Sequence, residues 1–151
     1  AKKMSEFKKI NKNNSKTLPK DKTTLFENSK EKDELNLERA LLPSTRMGGH
    51  FVQGHIDCVT KISKIQYFDK SSTWTFEMND HIERYIVEKG SIALNGVSLT
   101  IASKGKNSFD VALIPHTIEL TTFGNLTIGD NVNVEVDILG KYIENFLGQQ
   151  K

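Results

Sequence analysis

Four stretches of this 151-residue chain alternate apolar and polar residues with a period of two: Trp74, Phe76 and Met78; Val97, Leu99 and Ile101; Phe109, Val111 and Leu113; and Val132, Val134 and Val136. Successive side chains of a β-strand point to opposite faces, so this spacing places every named residue on one face of a strand. The implied fold class is all-β: an antiparallel sheet with one apolar side, long enough to close into a small barrel. Lys104-Gly105-Lys106-Asn107 falls between two of these strands with the composition of a hairpin turn.

Two helices are expected around the strands. Asp80 can cap the start of the first, Glu83 follows three residues on as in a capping box, and Gly90 can end it. Ile82, Tyr85 and Ile86 would then plug the barrel, with Lys89 in the last turn, where a cation favours the helix dipole. The second helix starts after Asp137, where Ile138, Leu139, Tyr142, Ile143, Phe146 and Leu147 recur at three- and four-residue spacing. It is too apolar to stand alone, and packing on a partner subunit is expected, with docking on its own barrel as the alternative.

The chain divides at about residues 34 and 136 into a start (1–34), a barrel (35–136) and a terminal helix (137–151). Residues 1–22 hold eight lysines against Glu6 and Asp21, which reads as a solvated basic extension, or alternatively an arm for nucleic acid or an anionic membrane. A net charge of +2, with Phe7 the one aromatic in the basic stretch 1–22, gives no support to nucleic-acid binding by the whole protein. Cys58 is the single cysteine, which excludes an intrachain disulfide and a cysteine-rich zinc site and fits a reducing compartment. No apolar run approaches the roughly 20 residues of a membrane helix, so a cytoplasmic protein without membrane or metal partners is expected. Asp33-Glu34-Leu35-Asn36-Leu37-Glu38 recurs as Asp130-Asn131-Val132-Asn133-Val134-Glu135, an offset of 97 (130 − 33), and Thr23-Thr24-Leu25 recurs as Thr121-Thr122-Phe123. A repeat of that length is a domain duplication rather than a solenoid unit of about 20 to 50 residues, unless strand-like sequences match here by chance.

Candidate chemistry gathers in three places. In Gly48-Gly49-His50-Phe51-Val52-Gln53-Gly54-His55-Ile56-Asp57, two glycine turns, each followed by a histidine, frame a short apolar run, a pattern that suggests a ligand edge. His50 and His55 would face opposite sides of a continuous strand, which is poor geometry for a shared metal. His50 is equally well a structural residue, whereas His55 has the better claim to a ligand. In the second place, Ser98 and Thr100 share the face opposite Leu99, a shelf of two hydroxyls suited to a flat heterocycle bearing amide-like groups, or simply solvent-facing. Lys89 precedes that shelf and could stabilise developing negative charge. The third place is Leu113-Ile114-Pro115-His116-Thr117. No nucleophile elbow, phosphate loop or dinucleotide fingerprint is present.

These motifs, with Asn36-Leu37-Glu38-Arg39-Ala40, Tyr85 to Gly90, Asn95 to Thr100 and Val132 to Asp137, resemble riboflavin synthase from about Leu35 to Leu147. The resemblance implies two similar six-stranded antiparallel Greek-key barrels followed by a C-terminal helix, assembled as a homotrimer. It implies dismutation of two 6,7-dimethyl-8-ribityllumazine molecules into riboflavin and 5-amino-6-ribitylamino-pyrimidinedione, with no cofactor and no metal. By the same resemblance, Gly54, His55, Ile56, Lys89, Ser98, Leu99, Thr100, Ile114, Pro115, His116, Thr117, Ile118 and Glu119 would line one lumazine site. His55, Lys89 and Ser98 would be the candidates for catalysis. The family's Phe-Thr-Gly opening and the Asn-Gly-x-Cys-Leu-Thr segment of its first barrel do not occur here; Ser15 to Ala40 resembles the end of that barrel. A lumazine- or flavin-binding module without catalysis is the competing class, and a purely structural interaction domain is a third.

Overall fold

The computed structural model describes residues 25, 33–44 and 46–148. The basic stretch 1–22 and the Thr23-Thr24 match lie outside the described residues. Six strands, β1 (Cys58–Phe68), β2 (Ser71–Glu77), β3 (Ser91–Leu94), β4 (Val97–Lys104), β5 (Ser108–Leu113) and β6 (Asn131–Val136), form a closed antiparallel barrel in the order β1-β2-β5-β4-β3-β6. β1 closes it against β6, with Cys58 opposite Val134 and Thr60 opposite Val132.

The barrel interior follows the period-two reading. Trp74, Phe76, Leu99, Ile101, Phe109, Val111, Leu113, Val132, Val134 and Val136 are all buried in one cluster. Trp74 meets Phe123 edge-on with ring centroids 5.4 Å apart, and Phe76 stacks on Phe109 at 5.5 Å, both favoured aromatic geometries. Lys104–Asn107 makes the expected hairpin, closed by Gly105 N donating to Ser108 O at 2.8 Å. The β3–β4 hairpin turns on Asn95 and Gly96, both at positive φ (47° and 79°), as a two-residue type I′ loop requires.

The helix expected from Asp80 to Gly90 does not form. Asn79, not Asp80, caps the segment: its side chain accepts from His81 N at 2.9 Å, and helical structure is limited to a 3-10 turn at Glu83–Tyr85. Competition from the barrel wall stops the helix there. Lys89 N donates to Ile101 O and Ile101 N to Gly90 O, each at 2.9 Å, so the second half of the segment is already paired with β4. Lys89 itself sits at φ 66° rather than at a helix end. Ile82 and Ile86 nonetheless reach the core as expected.

A short helix, α1 (Pro115–Leu120), follows β5, and α2 (Ile138–Gly148) follows β6. Asp137 caps α2, accepting from Leu139 N at 3.0 Å. The side of α2 that meets the barrel is polar. Lys141 pairs with Asp57 at 2.7 Å, Glu144 is bound by both the Arg84 guanidinium and the Tyr85 hydroxyl, and Gly140 leaves room for the Tyr85 ring, which a Cβ would approach to 3.2 Å. Leu139, Tyr142, Ile143, Phe146 and Leu147 face outward and are exposed. Among the described residues, no helix is long and apolar enough to cross a membrane.

Candidate functional site

Gly48 to Asp57 is an irregular strap across the outside of the barrel, not a buried strand, and Phe51 is exposed. Three polar side chains hold it to the barrel wall. Glu135 projects outward from β6 and is nevertheless buried, because its two carboxylate oxygens accept from Gln53 N (2.7 Å) and Gly54 N (2.8 Å). Asp57 accepts from Val136 N at 3.0 Å and its own N–H donates to Val134 O at 2.7 Å. Ser98 Oγ accepts from His50 N at 3.3 Å and lies 2.7 Å from His50 Nδ1. The strap runs so close to β4 that a Cβ on Gly49 would come within 2.4 Å of Ser98 Oγ; glycine is there for proximity.

The hydroxyl shelf exists. Ser98 and Thr100 share the outward face of β4, Thr100 exposed and Ser98 half-buried under the strap, while Leu99 points into the core and can reach an outer site through its backbone alone. β4 pairs with β3 along Val97–Thr100, but with β5 at Ile101, Ser103 and Lys104. The register Ile101↔Val111 carries the end of β5 back beside the first half of β4, which brings Ile114 and the start of α1 toward Ser98 and Thr100. Ile114, Pro115, His116 and Glu119 are exposed, Thr117 is half-buried, and Ile118 packs against the core. Lys89 is exposed and fixed by its backbone next to Ile101. Ser98 and Thr100 thus form an outer ledge on the first half of β4, with Lys89 paired to the next residue, Ile101, and Ile114–Thr117 following the end of β5.

His55 lies on the side toward β6. The residue is exposed, next to the part of the strap that Glu135 anchors over β6, with β3 between β6 and β4. His50 is the histidine that meets Ser98, and its Nε2 is buried with no hydrogen-bond partner among the described residues. Sequence pattern leaves His50 evenly balanced and does not single out Glu135. The available signal for Glu135 is a carboxylate flanked by inward valines on a strand, a position whose outward neighbour has to be polar. Two clefts of about 550 and 600 Å³ open elsewhere, one beside Asn95 and Asn133 and one beside Glu77 and Lys106. The ledge is a shallow outer surface.

A family model described as the lumazine binding domain matches residues 53–137, more than half of the chain. The riboflavin synthase of Actinobacillus pleuropneumoniae is 44% identical over 126 residues, covering 83% of this chain and 59% of that protein. The riboflavin synthase of Photobacterium phosphoreum is 40% identical over 82% of this chain and 57% of its own length, and that of Schizosaccharomyces pombe 46% identical over 76% and 56%. The chain thus spans somewhat more than half the length of these curated relatives. LumP, solved with 6,7-dimethyl-8-(1'-D-ribityl) lumazine and with riboflavin, shares the fold at TM-scores of 0.56 and 0.57 and 22% identity, covering 60% and 62% of this chain and 51% and 50% of that one. With the closed six-stranded barrel and the matched span in agreement, the chain belongs to the lumazine-binding domain family.

Proposed function

We propose that this chain is the second barrel of a riboflavin synthase, and that its β4 ledge binds one 6,7-dimethyl-8-ribityllumazine. The observation that carries the reading is the His50–Ser98 contact at 2.7 Å, with the orphaned His50 Nε2 behind it and the Val97–Thr100 backbone beside it. A lumazine ring is flat and bears both imide donors and carbonyl acceptors. The Ser98 and Thr100 hydroxyls can serve either, and exposed backbone groups at a strand edge do the same. Ser98 coupled to an imidazole can also take or return a proton, since the hydroxyl bridges the ring nitrogen and the ligand.

Dismutation requires a carbanion at the C7 methyl group of one lumazine, stabilised by the substrate's own electron-poor ring. The protein's contribution would be to hold two lumazines face to face and to present preorganised polar groups as charge develops. Lys89, next to the ledge, would be the cation nearest that charge; His55 would supply a contact at the ledge's far border rather than the proton relay. The second lumazine would rest on a first barrel, in an assembly for which the outward apolar face of α2 is the contact. Riboflavin is then the product.

Fluorescence titration with the lumazine, followed by chromatography for riboflavin, tests both parts. Binding that is weakened by His50→Ala, with turnover appearing when a first barrel is supplied, is the expected result. Lumazine binding without riboflavin under any such condition would favour the non-catalytic module, and absence of binding would remove the reading. Phe146→Glu should lower the sedimenting mass if α2 makes the oligomer contact; an unchanged mass would discard that role for the helix.

A further inference from the structure

Two hydrogen bonds outside the ledge have a relation that neither has alone. Thr122 N donates to Asn36 Oδ1 at 2.8 Å, and Leu25 N donates to Asn133 Oδ1 at 2.9 Å. Asn36 and Asn133 are matching positions of the repeat, 97 apart (133 − 36), and Leu25 and Thr122 are separated by the same 97 (122 − 25). Each copy's asparagine therefore accepts from the other copy's backbone, at Thr122 in one direction and, in the other, at Leu25, the residue after Thr122's counterpart Thr24. Exchange of equivalent partners between two equivalent surfaces is what an isologous, twofold contact produces. The hydrogen-bonded positions run one residue off the Thr-Thr match, in which Thr24 aligns with Thr122, because the copies differ by one residue in between.

The surroundings repeat the pattern. Asn36 Nδ2 also donates to Asn95 O and Thr122 Oγ1, both at 2.9 Å, so its carboxamide is bound at both ends. Leu25 and Asp33 to Asn36 form one wall of the 550 Å³ cleft, and Thr122, Asn131 and Asn133, with Asn95, form the other. Leu35 and Leu37, which correspond to the fully buried Val132 and Val134, are 39% and 70% exposed. In the second copy the same positions are the inward ones of a barrel strand.

We infer that Asn36 and Asn133 are the two halves of one reciprocal latch about a local twofold axis, and that this latch fixes Leu25 and residues 33–38 of the first copy against the second. Both are positioning residues, and the inference stands on the repeat geometry whether or not the ledge binds lumazine. Residue-resolved hydrogen exchange on the intact chain tests it. Asn36→Ala should accelerate exchange at Thr122, and Asn133→Ala at Leu25, by roughly five- to tenfold, the equivalent of one lost hydrogen bond. Because the latch acts as a unit, each variant should also accelerate the other amide, while Val111 in the barrel core stays protected. Asn133→Asp keeps the acceptor and should preserve protection at Leu25. Two amides that respond independently, or an Asn133→Asp variant that loses as much protection as Asn133→Ala, would overturn the latch.

Discussion

The inside of the barrel and the strap on its outside are held by different physics. Inside, Phe76, Phe109, Trp74 and Phe123 pack without a polar atom needing a specific partner beyond Trp74 Nε1, which donates to Ser72 Oγ at 2.8 Å. Outside, residues 48–57 bury little and are held by Glu135, Asp57 and Ser98 through individual hydrogen bonds. Apolar packing is tolerant of side-chain identity but large in total, whereas each strap contact is small and has no substitute. A barrel can thus keep its fold while its outer surface is retuned for a ligand.

The sharpest way to separate the two is to damage each in turn. Phe76→Ala, at a fully buried site, should lower stability by about 3 to 5 kcal/mol in chemical denaturation, and protection across barrel and strap should fall together. Glu135→Ala should cost about 2 to 3 kcal/mol, visible as rapid exchange at Gln53 and Gly54 with β5 still protected; a strap that stayed protected would show that it is held by something else. Changing Ser98 and Thr100 together to Ala should leave the barrel's melting nearly unchanged and weaken lumazine binding by about 1 to 3 kcal/mol. An unaltered affinity would remove β4 from the ligand site.

A smaller effect distinguishes both regions from α2. The hydrogen bond from Tyr85, reinforced by Arg84, holds the Glu144 carboxyl below its usual 4.5, and the same hydrogen bond to Glu144, with burial, raises the Tyr85 phenol above 10.0. A depressed carboxylate stabilises docking above its ordinary pKa and loses that contribution as pH falls through the lowered value. A raised phenol stabilises docking below its ordinary pKa and loses it as pH rises through the higher value. Amides of α2 should therefore lose protection both below pH 4.5 and above pH 10, relative to the amides of Phe76, Phe109 and Val111 in the barrel core. Uniform protection across that range would show that the Glu144 clamp does not hold the helix.

The same contrast explains what can be read from the sequence. The strands are legible because burial enforces alternation, and the inward set from Trp74 to Val136 is found where the period places it. The terminal helix is legible from the three- and four-residue spacing of its apolar residues, although that face is exposed in the structure. The turn at Asp80 to Gly90 reads wrongly as a helix because its capping pattern is local, whereas Lys89 and Gly90 are committed to Ile101, a partner not visible in the local pattern. On β4, Ser98 and Thr100 occupy the outward face that alternation assigns them, whereas Lys89 sits at φ 66° instead of in the last turn of a helix. His50 ranks behind His55 in the sequence, since which histidine meets Ser98 depends on how an irregular strap crosses β4. Glu135 and Asn36 act by bonding backbone far away in the chain, which leaves no periodic trace.

β6 is the one element shared by all of these regions. Val132, Val134 and Val136 line the barrel, Glu135 on the opposite face carries the strap, and Asn133 beside it meets Leu25. A keel of six residues thus ties strap and repeat junction to one rigid body, so neither can be transplanted alone. Grafting the 48–57 loop into another scaffold would demand that this strand travel with it, tilt and all.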